Sequence, residues 1–272
     1  MSAISGTVSI KRKAPGRSVA LPVEHGVWAF LLEPLAVGLM IAPSIAALWL
    51  SLFVFGIFLI RQPLKFLFAD WQLGRRLPRT DLALRFVLFF GAIAIAGLLG
   101  SLFFAPPESF IPFVAVAPLI VYLIVKDAAR QTRQLLPELI AIFVLASPVP
   151  SLALAAGWSS LAATSLWAIM LARSIPSVLY VRNRLRLEKG NEFSRFTPIS
   201  AHLLALILVG GLAFYGLSPL LTVTMFGVLF GRALLGLSPY RKGRKAKQIG
   251  IGEVIYGSLT VLSILIGYYA GV

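Results

Sequence analysis

The chain has 272 residues, of which 58% are hydrophobic and 13% are charged, and its mean hydropathy is +0.90. These values exclude a soluble globular protein, in which about a quarter of the residues carry charge. Twenty-five Lys and Arg residues stand against ten Asp and Glu residues, which gives a net charge of +15. The sequence contains no cysteine and two histidines, which excludes disulfides and Cys-ligated metal sites and argues against a His-rich one.

The first 24 residues form a basic tail without an apolar run. Such a segment cannot bury enough apolar surface to fold, so we expect it to be disordered. It also lacks the apolar centre of a signal peptide, and we expect the first membrane span to act as the targeting element. Residues 25–272 are predicted to form a single transmembrane helical domain.

Nine apolar stretches follow, each near the length of about 20 residues with which a helix crosses a membrane. Proline or glycine interrupts the chain after the first, third, fifth and seventh stretch, which predicts tight hairpins there. The sequence therefore predicts an all-α polytopic transmembrane bundle of nine spans. The predicted spans are Gly26–Ala42, Ile45–Ile60, Leu82–Phe104, Phe110–Val125, Leu135–Ala156, Leu161–Leu179, Ile199–Tyr215, Leu220–Leu237 and Ile249–Val272.

The basic residues indicate the orientation of the bundle. All 25 lie in the tail or in four long connections and their flanks, whereas the short hairpins contain none. The positive-inside rule then places the amino terminus and the long connections in the cytoplasm and the carboxy terminus outside. Because the charges are dispersed, they favour the bilayer and its anionic lipids as partners and argue against nucleic acid. The long connections are predicted at Arg61–Asp81, Lys126–Gln134, Tyr180–Pro198 and Ser238–Gly250.

Two of these connections open with a similar pattern of charged residues. Arg61 and Lys65 stand four positions apart, so their like charges repel unless an anion lies between them; the alternative is that they only anchor a helix end. Arg173 begins the second pattern from within an apolar stretch, and Asp70 and Arg182 stand at equivalent positions in the two patterns. This weak internal repeat predicts that both helix ends line one cytoplasm-facing cavity, in which Asp70 and Arg182 can pair. The residues predicted to bind an anionic head group there are Arg61, Lys65, Asp70, Arg173, Tyr180, Arg182 and Arg184.

The first span carries a second group of polar residues, Glu24, His25 and Glu33. A carboxylate inside a span is costly unless it faces protein or water, which marks Glu33 as a functional candidate. The alternative is that Glu24 and His25 cap the helix while Glu33 bonds a deep arginine such as Arg173. By the same reasoning, Glu138 and Glu253 are predicted to be counter-ions and His202 an interhelical hydrogen-bond donor.

Clustered acidic residues, which hold magnesium against phosphate oxygens in many enzymes, are missing from the long connections. We therefore expect no metal site and no cofactor. Arginine and lysine are expected to bind any phosphate or carboxylate directly. The spacing of the candidates assigns no catalytic residue.

Two resemblances can be stated on these residues. The segment Leu21–Pro34, the motif Arg61-Gln62-Pro63-Leu64-Lys65 and the stretch Arg173–Arg186 resemble the YwiC-like family of bacterial polytopic membrane proteins, which implies a multi-pass protein of the bacterial plasma membrane. The nine-span architecture and the polar motifs after spans 2 and 6 are more distantly similar to the UbiA superfamily of prenyltransferases. That similarity implies a central cavity for an isoprenoid or lipid. The Asp-rich magnesium motifs of that superfamily are replaced here by basic residues.

Three functions are compatible with these patterns. The first is a UbiA-like enzyme or binding protein for an isoprenoid or lipid with an anionic head group. The second is a transporter or exporter of an anion or amphiphile, for which the interruption Ala146-Ser147-Pro148-Val149-Pro150 within span 5 is the supporting feature. The third is a non-catalytic assembly protein that uses its basic face only to orient itself on anionic lipid.

Overall fold

The computed structural model describes residues 15–22, 25–128, 131 and 134–272. Throughout this part of the chain the secondary structure is helical, without strands. The described residues form eleven α-helices and a 3₁₀ turn at Pro107–Phe110. The helices are α1 Pro15–Ala20, α2 His25–Ile41, α3 Ile45–Gln72, α4 Pro78–Phe104, α5 Ile111–Ala128, α6 Leu135–Ala146, α7 Pro148–Ala155, α8 Ser160–Glu188, α9 Phe196–Phe214, α10 Leu220–Gly236 and α11 Ala246–Ala270.

The apolar stretches of the sequence coincide with these helices. Among the described residues, seven segments are long and apolar enough to cross a membrane, and two more, Gly26–Ile41 and Leu220–Gly236, are apolar but shorter. Long apolar side chains such as Leu88, Phe103 and Leu204 remain exposed on the outside of the bundle, as a lipid-facing surface requires. The chain is therefore a multi-pass integral membrane protein. All four predicted hairpin turns are found between helices.

Two helices extend beyond the predicted spans. We expected span 2 to end at Ile60 and span 6 at Leu179, but α3 continues to Gln72 and α8 to Glu188. Pro63 and Pro176 lie inside these helices. The helices continue past them because a proline removes only one backbone hydrogen-bond donor, and the turns that follow keep their hydrogen bonds. The charged side chains of these last turns can reach water while their stems stay on the helix. Hydropathy located the apolar part of each helix and missed its polar end.

The tail also differs from its prediction. Pro15–Ala20 form the short helix α1, where disorder was expected, and Val19 and Ala20 are buried. The Gln62 side chain donates a hydrogen bond to the Ser18 carbonyl, which ties α1 to α3. Residues 1–14 lie outside the described residues.

The short helix α7 lies at the centre of the bundle. It packs against α2, α3 and α8, and its residues Pro148 to Ala153 are all buried. Val149 belongs to an apolar cluster that extends into α8, α9 and α10, whereas Leu152 belongs to a cluster with α2, α3 and α4. The break between α6 and α7 therefore lies deep in the protein, where α7 joins the two apolar clusters.

Helices α3 and α4 form the most extensive helix pair of the structure. Gly97 allows the close approach, because a Cβ atom at this position would lie 2.6 Å from the Phe53 Cα atom. Small residues at such crossings let helix backbones approach closely in a membrane, where apolar burial contributes little to helix association.

Gly97→Ala should destabilise the protein by about 2 kcal/mol, because the added methyl group forces the two backbones apart. Gly210→Ala in α9 is the matched control, since no atom lies within 4 Å of a Cβ atom there. The control should be neutral or slightly stabilising through the higher helix propensity of alanine. Unfolding in mixed detergent and dodecyl sulfate, followed by circular dichroism, measures both changes. Equal stabilities of the two variants would contradict the close packing.

Candidate functional site

Arg61 and Lys65, the first predicted anion ligands, lie on one face of α3 and share a carboxylate of α5. The Lys65 Nζ atom is 2.8 Å from the Asp127 Oδ1 atom, and the Arg61 Nη2 atom is 3.9 Å from Asp127 Oδ2. Both basic side chains are more than half exposed. The anion between the two cations is thus supplied by the protein itself.

Asp70 and Arg182, the predicted pair, have different partners. The Asp70 carboxylate is fully buried, lies 2.5 Å from the Arg79 Nη2 atom and accepts a 2.8 Å hydrogen bond from the Thr80 hydroxyl. The Arg182 Nη1 atom lies 2.7 Å from the Glu138 Oε2 atom. The predicted pairing of Asp70 with Arg182 is therefore wrong, because each finds a charge on a nearer element, and Glu138 is confirmed as a counter-ion.

The polar group of the first span is only partly described. Glu24 and the side chain of His25 lie outside the described residues. Glu33 is buried, and its Oε2 atom lies 3.0 Å from the Nε atom of Arg173, which is only 2% exposed. The alternative stated for Glu33, a bond to a deep arginine such as Arg173, is therefore the one that the structure shows.

A glycine makes room for this ion pair. A Cβ atom at Gly257 of α11 would collide with the Glu33 carboxylate and lie 2.5 Å from the Arg173 Nη2 atom. The same Nη2 atom donates a 2.9 Å hydrogen bond to the main-chain carbonyl of Glu253. Arg173 thereby joins α2, α8 and α11 through polar contacts in the interior of the bundle.

The Glu253 side chain continues these contacts to α10. Its Oε1 atom lies 2.5 Å from the Arg232 Nη1 atom, which confirms Glu253 as a counter-ion. The Arg232 guanidinium lies over the rings of Tyr180 and Tyr256, 4.3 and 4.8 Å from their centroids, and its Nη2 atom is 3.4 Å from His202 Nε2. We call Glu33, Arg173, Glu253, Arg232 and His202 the buried ion-pair network.

One end of this network opens into a cavity of about 320 Å³ between α8, α10, α11 and the α10–α11 loop. Among the described residues, the lining has five cationic side chains and one carboxylate, that of Glu253, so its formal charge is positive. We call it the basic cavity. Its charged and aromatic lining residues are Tyr180, Arg184, Arg232, Tyr240, Arg241, Lys242, Arg244, Glu253 and Tyr256.

Arg184 of α8 lines the cavity and contacts the α10–α11 loop. It donates hydrogen bonds to the main-chain carbonyls of Gly236 and Lys242 and lies 2.6 Å from the Glu188 carboxylate. Because the first two partners stand at the end of α10 and in the loop that follows, Arg184 fixes the course of that loop. The buried arginine thus positions the basic loop residues over the cavity.

The predicted residues separate into two sets. Tyr180 and Arg184 line the basic cavity and Arg173 belongs to the network that leads to it, whereas Arg61, Lys65, Asp70 and Arg182 are absent from the cavity lining. Arg232 and Tyr256 were not among the predicted site residues. The signal for Arg232 was available, because it interrupts an apolar stretch as Arg173 does, and a charge in that setting marks a functional candidate.

Within the described residues, His, Asp and Glu side chains do not gather in groups of three or more that could hold a metal ion. The basic cavity offers guanidinium and ammonium donors instead. These groups bind phosphate and carboxylate oxygens by charge-assisted hydrogen bonds.

Comparison with known proteins adds one match. Residues 21–153 match the family described as YwiC-like protein, so the resemblance is confirmed over this part of the chain. No curated protein and no solved structure matches the chain, and the similarity to the UbiA superfamily stays a prediction. The matched region contains Glu33 and ends before Arg173, and therefore before the basic cavity.

Proposed function

We propose that the protein binds the anionic head group of an isoprenoid or other lipid in the basic cavity. The observation that carries this proposal is the charge of the lining, five cations against the Glu253 carboxylate, beside the apolar side chains of Leu235 and Ile249. Glu188 pairs with two of these cations, Arg184 and Arg241, so the cations still outnumber the carboxylates that contact them. A volume of about 320 Å³ lies at the lower end of the range for small-molecule sites. It accommodates a head group, and the apolar chain then extends along the helices into the bilayer.

The proposal includes a topology. The chain has nine spans, with the two shorter apolar helices as the first and eighth, and its amino terminus is in the cytoplasm of a bacterium. The tight hairpins carry no basic residue, whereas the α3–α4 and α10–α11 connections do, and this asymmetry supports a cytoplasmic position for the basic cavity. Anionic lipids of the inner leaflet then surround the basic end of the bundle.

The proposed site uses one of the two patterns recognised in the sequence. The pattern beginning at Arg173 contributes Tyr180 and Arg184 to the cavity, whereas the pattern beginning at Arg61 binds Asp127. Head-group recognition is assigned to basic side chains and requires no metal. The proposal is confined to binding, and it assigns no enzymatic step on the bound lipid.

A charge-matched pair of variants tests the cavity. Arg241, Lys242 and Arg244 replaced together by Gln should weaken binding of farnesyl diphosphate about tenfold or more, because three cations leave the cavity wall. The control replaces Arg61, Lys65 and Lys126 by Gln, which removes the same charge from the α3 and α5 ends. It should change the affinity less than about twofold. Isothermal titration calorimetry of the purified full-length protein in detergent measures both.

The result also decides between the two basic patches. Equal losses in both triple variants would show that the probe responds to net charge alone, and a loss confined to the control would move the site to α3. Mass spectrometry of lipids that copurify with the unaltered protein identifies the natural ligand class.

Transport of the same amphiphile is a second candidate, favoured by the break between α6 and α7. Ser147, at the break, and Ser151 are buried, and broken helices near the bilayer centre are typical of transporters. Proteoliposomes with a fluorescent prenyl phosphate in one leaflet separate the candidates. Protein-dependent movement of the probe to the other leaflet favours transport, whereas binding without movement favours a binding protein or enzyme.

A further inference from the structure

Glu253 contributes the carboxylate that the described part of the chain places in the lining of the basic cavity. Its Oε1 atom lies 2.5 Å from the Arg232 Nη1 atom, and the two side chains are 17% and 7% exposed. The carboxylate therefore occupies a place within a wall of cations where an anionic head group would also be bound.

The contact between Glu253 and Arg232 leaves one polar atom of each side chain without a hydrogen bond. Glu253 Oε2 and Arg232 Nε are both buried and have no hydrogen-bond partner. The Arg232 guanidinium also lies over the rings of Tyr180 and Tyr256, and these contacts keep it beside the cavity. Buried polar atoms are seldom left unpaired, and such an exception calls for an explanation.

We propose, resting on the binding function assigned to the basic cavity, that Glu253 is a built-in counter-ion which the ligand displaces. In the empty cavity, its carboxylate offsets the cost of holding several cations together. When a phosphate group enters, Arg232 exchanges the Glu253 carboxylate for the phosphate oxygens. Glu253 thereby sets the affinity of the site, because every ligand competes with it for the same guanidinium.

The structure also supplies a place for the displaced carboxylate. Arg173 is the other cation of the buried ion-pair network, and its Nη2 atom donates a hydrogen bond to the main-chain carbonyl of Glu253. A carboxylate that leaves Arg232 turns toward Arg173. Ligand binding in the cavity thereby changes the charge around the Glu33–Arg173 ion pair between α2 and α8.

Glu253→Gln tests the exchange with inorganic pyrophosphate as the probe. The substitution keeps the size and the acceptor oxygen of the side chain and removes its charge. We expect pyrophosphate to bind the variant about tenfold more tightly than the unaltered protein, because the competing charge is gone. Glu138→Gln, which neutralises the similarly short ion pair with Arg182 away from the cavity lining, should leave the affinity unchanged. Calorimetry on the full-length protein in detergent gives the dissociation constants.

Glu253→Asp is a second test of the exchange, to be used if size-exclusion chromatography shows that the Gln variant does not fold. It keeps the charge but shortens the reach to Arg232, and its affinity should lie between those of the unaltered protein and the Gln variant. Unchanged or weaker pyrophosphate binding by folded Glu253 variants overturns the exchange and leaves the binding function intact. Absence of pyrophosphate binding in the unaltered protein and in all folded variants also overturns the exchange, whereas the binding function is overturned only if farnesyl diphosphate fails to bind as well.

Discussion

Replacing Glu33 by Met will destabilise the protein by about 3–5 kcal/mol, the cost of breaking a buried ion pair from one side. Its partner Arg173 is 2% exposed and cannot lose its charge, so the guanidinium would remain in the interior with the Glu253 carbonyl as its remaining hydrogen-bond acceptor. Arg173→Met should cost less, because the carboxyl group left behind can take up a proton and stay buried as a neutral group. Unfolding in mixed detergent and dodecyl sulfate measures both.

The double variant Glu33→Met with Arg173→Met should recover most of the lost stability. Methionine is unbranched and fills irregular space, and a buried ion pair replaced by apolar side chains of similar volume is often neutral in stability. Glu138→Met and Arg182→Met are the matched controls, because that pair is about one third exposed and should cost less than about 1 kcal/mol when broken. A double variant as unstable as Glu33→Met alone would show that the pair is needed for more than mutual neutralisation.

The sequence predicts the positions of the helices better than their ends. Apolar runs of about 20 residues locate membrane-crossing segments because the cost of burying polar groups in lipid is large. Hydropathy gives no information on the backbone hydrogen bonds through which α3 continues past Pro63 to Gln72. A helix end that leaves the lipid can be polar, and nothing in its hydropathy distinguishes it from a loop.

The candidate site also has contacts that the sequence predicts and contacts that it does not. The pairing of Glu33 with Arg173 was foreseeable, because a carboxylate within a span must find a cation at similar depth. The separate partners of Arg61 and Arg182, Asp127 and Glu138, were not foreseeable, because they come from helices whose rotation within the bundle is set by packing. Arg232 could have been predicted as a site residue by the reasoning used for Arg173, which holds for every arginine within an apolar run.

Asp70 provides the last test, because its contacts at the turn between α3 and α4 predict a structural role. Its carboxylate is fully buried beneath that turn and is held by Arg79, which is 39% exposed, and by Thr80. Asp70→Asn removes the charge that both groups bind. The expected loss is about 2 kcal/mol, below that of the Glu33–Arg173 pair because water screens the exposed side of Arg79.

Asp81→Asn is the matched control for this prediction. Asp81 pairs with Arg76 in the same turn at the same distance of 2.5 Å, but both side chains are more than half exposed, so its substitution should change stability by less than about 0.5 kcal/mol. If Asp70 bound the head group instead of the turn, Asp70→Asn would alter pyrophosphate affinity and leave unfolding unchanged. A loss of stability with unaltered affinity assigns Asp70 to the turn, because burial and not ion-pair distance then distinguishes it from Asp81.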